Sequence, residues 1–174
     1  MDAVQLMPDH VWKAAPGCRI LVIDGGAVRL DFPGDWIAFP TARHIALIDR
    51  LPPATRFTVG VSWRRLSHAM AAVPLDYLLS EILIGEQREV IRRGDIHRTF
   101  RFPLEIAWIQ LRLVEGCTRI CLARAGCTQA VILFDFQPND ELAMFDVWEI
   151  LLSTLVVGDY IQDHATGRRR ERRG

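Results

Sequence analysis

The sequence predicts an α+β domain, an antiparallel β-sheet flanked by helices. Two apolar runs flank Asp24-Gly25-Gly26, and Asp-Gly between such runs is a strong hairpin signal. Residues 57–64 alternate apolar and polar, the period of a half-buried strand. Two amphipathic helical stripes, after Pro74 and after Pro138, interrupt the strands too seldom for a parallel doubly wound sheet.

In chain order, a helical turn around Val11-Trp12 precedes the hairpin strands at residues 18–23 and 27–32. In the second of these, Val28, Leu30 and Phe32 share one face, and Arg29 and Asp31 share the other. Pro33-Gly34-Asp35-Trp36 turns the chain, residues 44–49 read as a short strand, and Leu51-Pro52-Pro53-Ala54 is a rigid loop. Then Phe57, Val59, Val61 and Trp63 point one way, with Thr58, Gly60, Ser62 and Arg64 opposite. Pro74 opens a helix expected to reach Arg93, since proline is tolerated in the first turn. Its core stripe is Leu75, Leu78, Leu79, Ile82 and Leu83, and Gly94 ends it. Residues 95–102, 104–115, 118–123 and 128–136 read as strands, the last two joined by a tight turn at Arg124-Ala125-Gly126. A final helix over 140–157 starts at Pro138-Asn139-Asp140-Glu141, with capping residues and acidic charge in its first turn. Its apolar side is Met144, Phe145, Trp148, Leu151, Leu152 and Leu155, and Gly158 closes it. One domain over 18–158 therefore sits between an N-terminal extension (1–17) and a flexible basic tail (159–174).

Composition agrees with a soluble domain able to bury a core: 174 residues, 50% of them apolar and 24% charged. It excludes a disordered chain, a collagen-like repeat and a disulfide miniprotein. Basic and acidic residues balance at 21 each, but residues 168–174 hold five arginines and one glutamate. The acidic remainder lacks the basic face that phosphate neutralisation needs, so no nucleic acid is expected as partner. The tail reads as a solvated segment, or one that docks on an acidic patch. The N-terminal ten residues hold no apolar leader, and the longest apolar runs fall far short of the about 20 residues of a membrane helix. The expectation is a cytoplasmic protein with no membrane insertion, whose Cys18, Cys117, Cys121 and Cys127 are free thiols.

A search for chemistry finds no catalytic residue, cofactor motif or metal site. Cys117, Cys121 and Cys127 follow C-x3-C-x5-C, which matches no zinc pattern. On a strand the first two would sit about 13 Å apart, so all three read as core cysteines. The five histidines, His10, His44, His68, His97 and His164, are scattered without ligand spacing. Asp135 reads as an outward-facing strand residue. Trp63, Trp108 and Trp148 fall on core faces, while Trp12 and Trp36 stand at element edges, where an aromatic lines a groove or packs. One feature resists a purely structural reading. Tyr77, Ile84 and Ile91 recur every seven residues, opposite the leucine stripe of the first helix, where polar residues belong. Either another element covers this row or it is a contact seam for a second copy or a protein partner.

The order of parts carries a resemblance. An apolar hairpin ends in Leu30-Asp31-Phe32-Pro33-Gly34-Asp35-Trp36. A strand, a helix, meandering strands and a helix ending in Leu151-Leu152-Ser153-Thr154-Leu155 follow. Over 18–158 this resembles the PsbP/DcrB-like superfamily. The resemblance implies an α/β/α sandwich and a non-enzymatic fold used for binding proteins. Its relatives include an extrinsic photosystem II subunit, a bacterial periplasmic lipoprotein, a nuclear binder of a small GTPase and chaperones of secreted toxins. It marks no contact residue in this chain. A cytosolic adaptor or chaperone-like binding module is the expected role. A small-molecule binder or an enzyme with a loop-assembled site is the competing one, favoured by a pocket of convergent polar groups rather than a broad apolar patch.

Overall fold

The computed structural model describes residues 13–84, 86–163 and 168–169. Trp12 and the basic tail from residue 170 onward lie outside the described residues. Strands β1 (Cys18–Ile23) and β2 (Val28–Pro33) form the first hairpin, from Cys18 opposite Pro33 to Ile23 opposite Val28. The intervening residues turn through left-handed backbone, with φ of 50° at Asp24, 62° at Gly25 and 104° at Gly26, which is why glycines stand there. Strands β3 (Ile37–Pro40), β4 (Ile45–Ile48) and β5 (Phe57–Arg65) follow. A one-turn helix α1 (His68–Ala71) is capped by Ser67, whose hydroxyl accepts from the Met70 N–H at 3.3 Å. Next come α2 (Leu75–Ile84), β6 (Val90–Arg93), β7 (His97–Arg101), β8 (Leu104–Leu113), β9 (Gly116–Ala125) and β10 (Thr128–Phe136). A 3-10 turn (Pro138–Asp140) leads into α3 (Glu141–Thr154), followed by β11 (Val156–Val157), β12 (Ile161–Asp163) and β13 (Arg168–Arg169).

The large sheet has eight antiparallel strands in the order β3-β4-β5-β10-β9-β8-β6, with β7 pairing the same flank of β8 as β6. A second sheet, β1-β2-β11, places the last strand of the domain against its second, with Val157 opposite Val28. Alternation splits the core in two. Ile106, Cys121, Ala123, Ile132 and Phe134 face α3 and the small sheet. Ala107, Ile109, Leu111, Ile120 and Leu122 face α2. The result is the α/β/α sandwich that the resemblance implies. The leucine stripe of α2 behaves as its spacing predicts: Leu75, Leu78, Leu79 and Leu83 are buried, each worth about 1.5–3 kcal/mol of transfer free energy. Strand β9, covered on both faces, is buried along nearly its whole length.

Several expectations need correction. The helix expected over 74–93 stops at Ile84. After Leu83 the stripe positions fall on Glu86, Glu89 and Val90, so a longer helix would gain only one apolar side chain for the core. β-Branched Val90 instead pairs with Leu113 in β6. Ile91 is therefore a strand residue, and Tyr77, Ile84 and Ile91 are not one helical seam, although all three are exposed. The last helix stops at Thr154 rather than running to Val157, because Leu155 is extended (φ −61°, ψ 125°) and Val156-Val157 pair with β2. Strand β3, not anticipated, forms the outer edge beyond β4. In the segment read as a flexible tail, Arg168 and Arg169 pair with β12.

Candidate functional site

On the β7–β8–β9 flank of the large sheet, the residues alternating toward α3 are not all apolar. His97 stands opposite Trp108, and Gln110 opposite Arg119. The His97 ring stacks on the Trp108 indole, with centroids 4.0 Å apart and 11° between planes. Arg119 is 2% exposed. Its guanidinium carbon lies 4.7 Å from the Trp108 ring, and 4.6 Å and 5.1 Å from Phe145 and Trp148 of α3. Each such face stabilises a desolvated cation by about 0.5–2 kcal/mol. The Arg119 Nε donates to Gln110 Oε1 at 2.8 Å, and Gln110 Nε2 donates to Glu141 Oε1 at 2.8 Å. The Arg119 Nη1 is buried with no hydrogen-bond partner. Burial pulls this guanidinium below the usual arginine range, and the charges of Glu141 and Glu149 oppose that shift.

Beside the cage a cavity of about 420 Å³ opens between α3 and the sheet edge, with Thr99, Ile106, Glu149 and Leu152 among its walls. Arg101 lines both this cavity and a larger cleft of about 570 Å³. Its guanidinium donates to the carbonyls of Ser153 (2.6 Å), Leu152 (3.2 Å) and Leu155 (2.5 Å). It thereby satisfies the unpaired end of α3 and complements the helix dipole. At the β7–β8 turn, Phe100 and Phe102 meet edge to face at 6.4 Å and remain 66% and 85% exposed.

Residues 19–161 match the Alr1449 family. The chain belongs to the Alr1449 family. Protein alr1449 of Nostoc sp. (strain PCC 7120 / SAG 25.82 / UTEX 2576) is 31% identical over 174 residues, covering 95% of this chain and 91% of the relative. Among solved structures, cyanobacterial PsbP (CyanoP) from Synechocystis sp. PCC 6803 superposes with a TM-score of 0.58 at 9% identity, covering 84% of this chain and 98% of that one. At that identity the likeness shows the fold, and it is the PsbP-like α+β fold.

In this Alr1449-family protein, Trp36 is a core residue. It is buried, stacks on Phe57 at 5.9 Å and meets Phe134 edge-on at 6.4 Å, so it lines neither cleft. Tyr77 and Ile84 stand on the outer side of α2, and Ile91 on β6, none of them in the cavity. Asp135 points outward, as its place in the strand predicts, and accepts from Arg88 Nη1 at 2.9 Å. The sequence patterns do not single out Arg119. Its signal was an arginine on the same strand face as Cys117 and Cys121, where an apolar residue belongs. Among the described residues, no three His, Cys, Asp or Glu come together to hold a metal, and no helix is long and apolar enough to cross a membrane.

The cysteines separate into two kinds. Cys117 and Cys121 are core, and burial pushes the Cys121 thiol up to about 12. Cys127 is not core: it lies half-buried in the β9–β10 turn, with its sulfur 3.5 Å from His68 Nδ1. Iodoacetamide should therefore label Cys127 in the native protein and reach Cys121 only after unfolding, as read by peptide mass mapping. Equal labelling of both in the native state would contradict this assignment.

Proposed function

We propose that this protein is a non-enzymatic binding module that takes an extended, acidic segment of another protein along its β6–β7 edge. The observation that carries the reading is the state of that edge. Among the described residues, β6 and β7 pair only with β8, so their outer main-chain groups are open to an added strand. Every residue of β7 is exposed. Residues 90–101 carry Arg92, Arg93, Arg98 and Arg101 against the single acid Asp95. Arg98 pairs with Asp76 at 2.5 Å and Arg101 holds α3, whereas Arg92 and Arg93 make no ion pair among the described residues. A second copy would set these arginines against their own kind, which disfavours pairing. An acidic segment is complementary, with Ile91, Phe100 and Phe102 as apolar contacts beside it. Ile91 is the member of the heptad row that this reading retains. A cytoplasmic location belongs to the same proposal, because a reducing compartment keeps partly exposed thiols such as Cys18 and Cys127 free.

Selection from a displayed library of random linear peptides tests it. Enriched peptides should be acidic, and Arg92→Glu with Arg93→Glu should weaken them by about tenfold or more. N-methylation at alternate peptide positions should abolish binding, because it removes the donors of the added strand. Ile84→Glu, on an exposed part of α2, is the control and should change stability by under about 0.5 kcal/mol. Neutral or basic consensus peptides, or acidic peptides that bind the charge-reversed variant equally, would overturn the reading.

A further inference from the structure

We propose that the cavity between α3 and the β7–β8 edge is a binding site for a small monocarboxylate with a flat apolar body. This inference stands apart from the edge-strand reading, because it rests on the buried Arg119 and not on open main-chain groups. Arg119 lines the cavity and is fully committed on only one side. Its Nε is bonded to Gln110 and its guanidinium lies among three rings, yet Nη1 has no acceptor. A buried cationic donor without an acceptor is costly, and ring faces satisfy its charge but not its N–H groups. Nη1 itself is closed to water, so a carboxylate oxygen arriving from the cavity would reach it as the guanidinium turns toward the opening, and would complete it there with a charge-assisted hydrogen bond.

The walls set the rest of the ligand. Trp108, Trp148, Phe145, Ile106 and Leu152 offer an apolar and aromatic lining. The volume of about 420 Å³ lies within the range of small-molecule sites. Of the two acids whose charges reach Arg119, Glu141 is held by Gln110. Glu149, exposed on α3, lies close enough to act on the Arg119 charge but makes no hydrogen bond to Nη1. Arg98 and Arg101 line the cavity too, but Arg98 is paired with Asp76 and Arg101 is committed to the carbonyls at the end of α3. Arg119 is therefore the lining arginine with an unfilled donor, and a second negative charge on the ligand would have Glu149 beside it, which favours one carboxylate over a dicarboxylate or a phosphate.

Benzoate, its neutral isostere benzamide, and the dicarboxylate phthalate are the probes, read by tryptophan fluorescence and by calorimetry. Benzoate should quench the emission saturably and bind at least about tenfold more tightly than benzamide or phthalate. Arg119→Gln should remove about tenfold or more of the benzoate affinity. Because that variant disturbs a buried network and can fail to fold, Glu149→Gln is the second test. It alters an exposed side chain, and it should tighten benzoate by about threefold and phthalate by more. The proposal is overturned if benzoate does not saturate, if benzamide binds equally well, or if Glu149→Gln leaves both affinities unchanged.

Discussion

Replacing Trp148 with alanine should cost about 3–5 kcal/mol, the range for truncating a large core aromatic. Trp148 is 2% exposed. It meets Trp108 edge-on at 5.5 Å, lies against Phe134 at 6.2 Å, and gives Arg119 one of its three ring faces. Alanine would leave a void between α3 and the large sheet and would widen the surroundings of an already under-bonded cation. Marginal stabilities of about 5–15 kcal/mol mean that such a loss takes a large share of the total. With a urea slope of about 2 kcal/mol/M, the unfolding midpoint should fall by about 1.5–2.5 M. A fall of less than about 0.5 M would mean that α3 does not pack on the sheet as described.

The second large effect is expected at Gly26. A Cβ there would stand 2.3 Å from the Asp159 carbonyl oxygen and 3.1 Å from the Tyr160 Cα, and φ is 104°. The obstructing atoms are backbone, so no side-chain rotation relieves the clash. Strain at such a φ alone costs about 1–3 kcal/mol, and the segment after β11 must also shift. Gly126→Ala is the matched comparison, with φ 57° and nothing within 4 Å of the added carbon. It should cost only about 1–2 kcal/mol, the ordinary left-handed penalty. Urea midpoints of the two variants separate the contributions. Equal losses would show that the close approach of residues 159–160 to the hairpin does not persist in solution.

The readable parts of this fold were those in which one side chain period repeats long enough to speak for itself. Strand β5 alternates over eight of its nine residues, and the leucines of α2 and the apolar side of α3 each recur at helical spacing. Strand β6 had no such support, being four residues with two arginines. Ile91 happened to fall seven residues after Ile84, so a period borrowed from the preceding helix ran on through it. The site was hidden for a different reason. His97, Trp108, Arg119, Phe145 and Trp148 come from three strands and a helix, and only the strand register brings them together. Glu141, read correctly as first-turn charge of the last helix, has a further role as partner of Gln110 that no local pattern encodes.

The small β1-β2-β11 sheet has a consequence for how the chain is made. During synthesis the N-terminal hairpin emerges first, with Leu21, Ile23, Leu30 and Phe32 on one face. Its fixings arrive last: Val157 opposite Val28, and the Thr154 hydroxyl that accepts from the Asp31 N–H at 2.8 Å, 123 residues further on. At a translation speed of about 5–20 residues per second, the wait is roughly 6–25 s. A lone two-stranded hairpin is marginally stable in water, so for that time an apolar surface stays open on the nascent chain. The β8–β9–β10 meander forms between neighbours in sequence, and the hairpin can dock only after the ribosome has delivered the end of the domain.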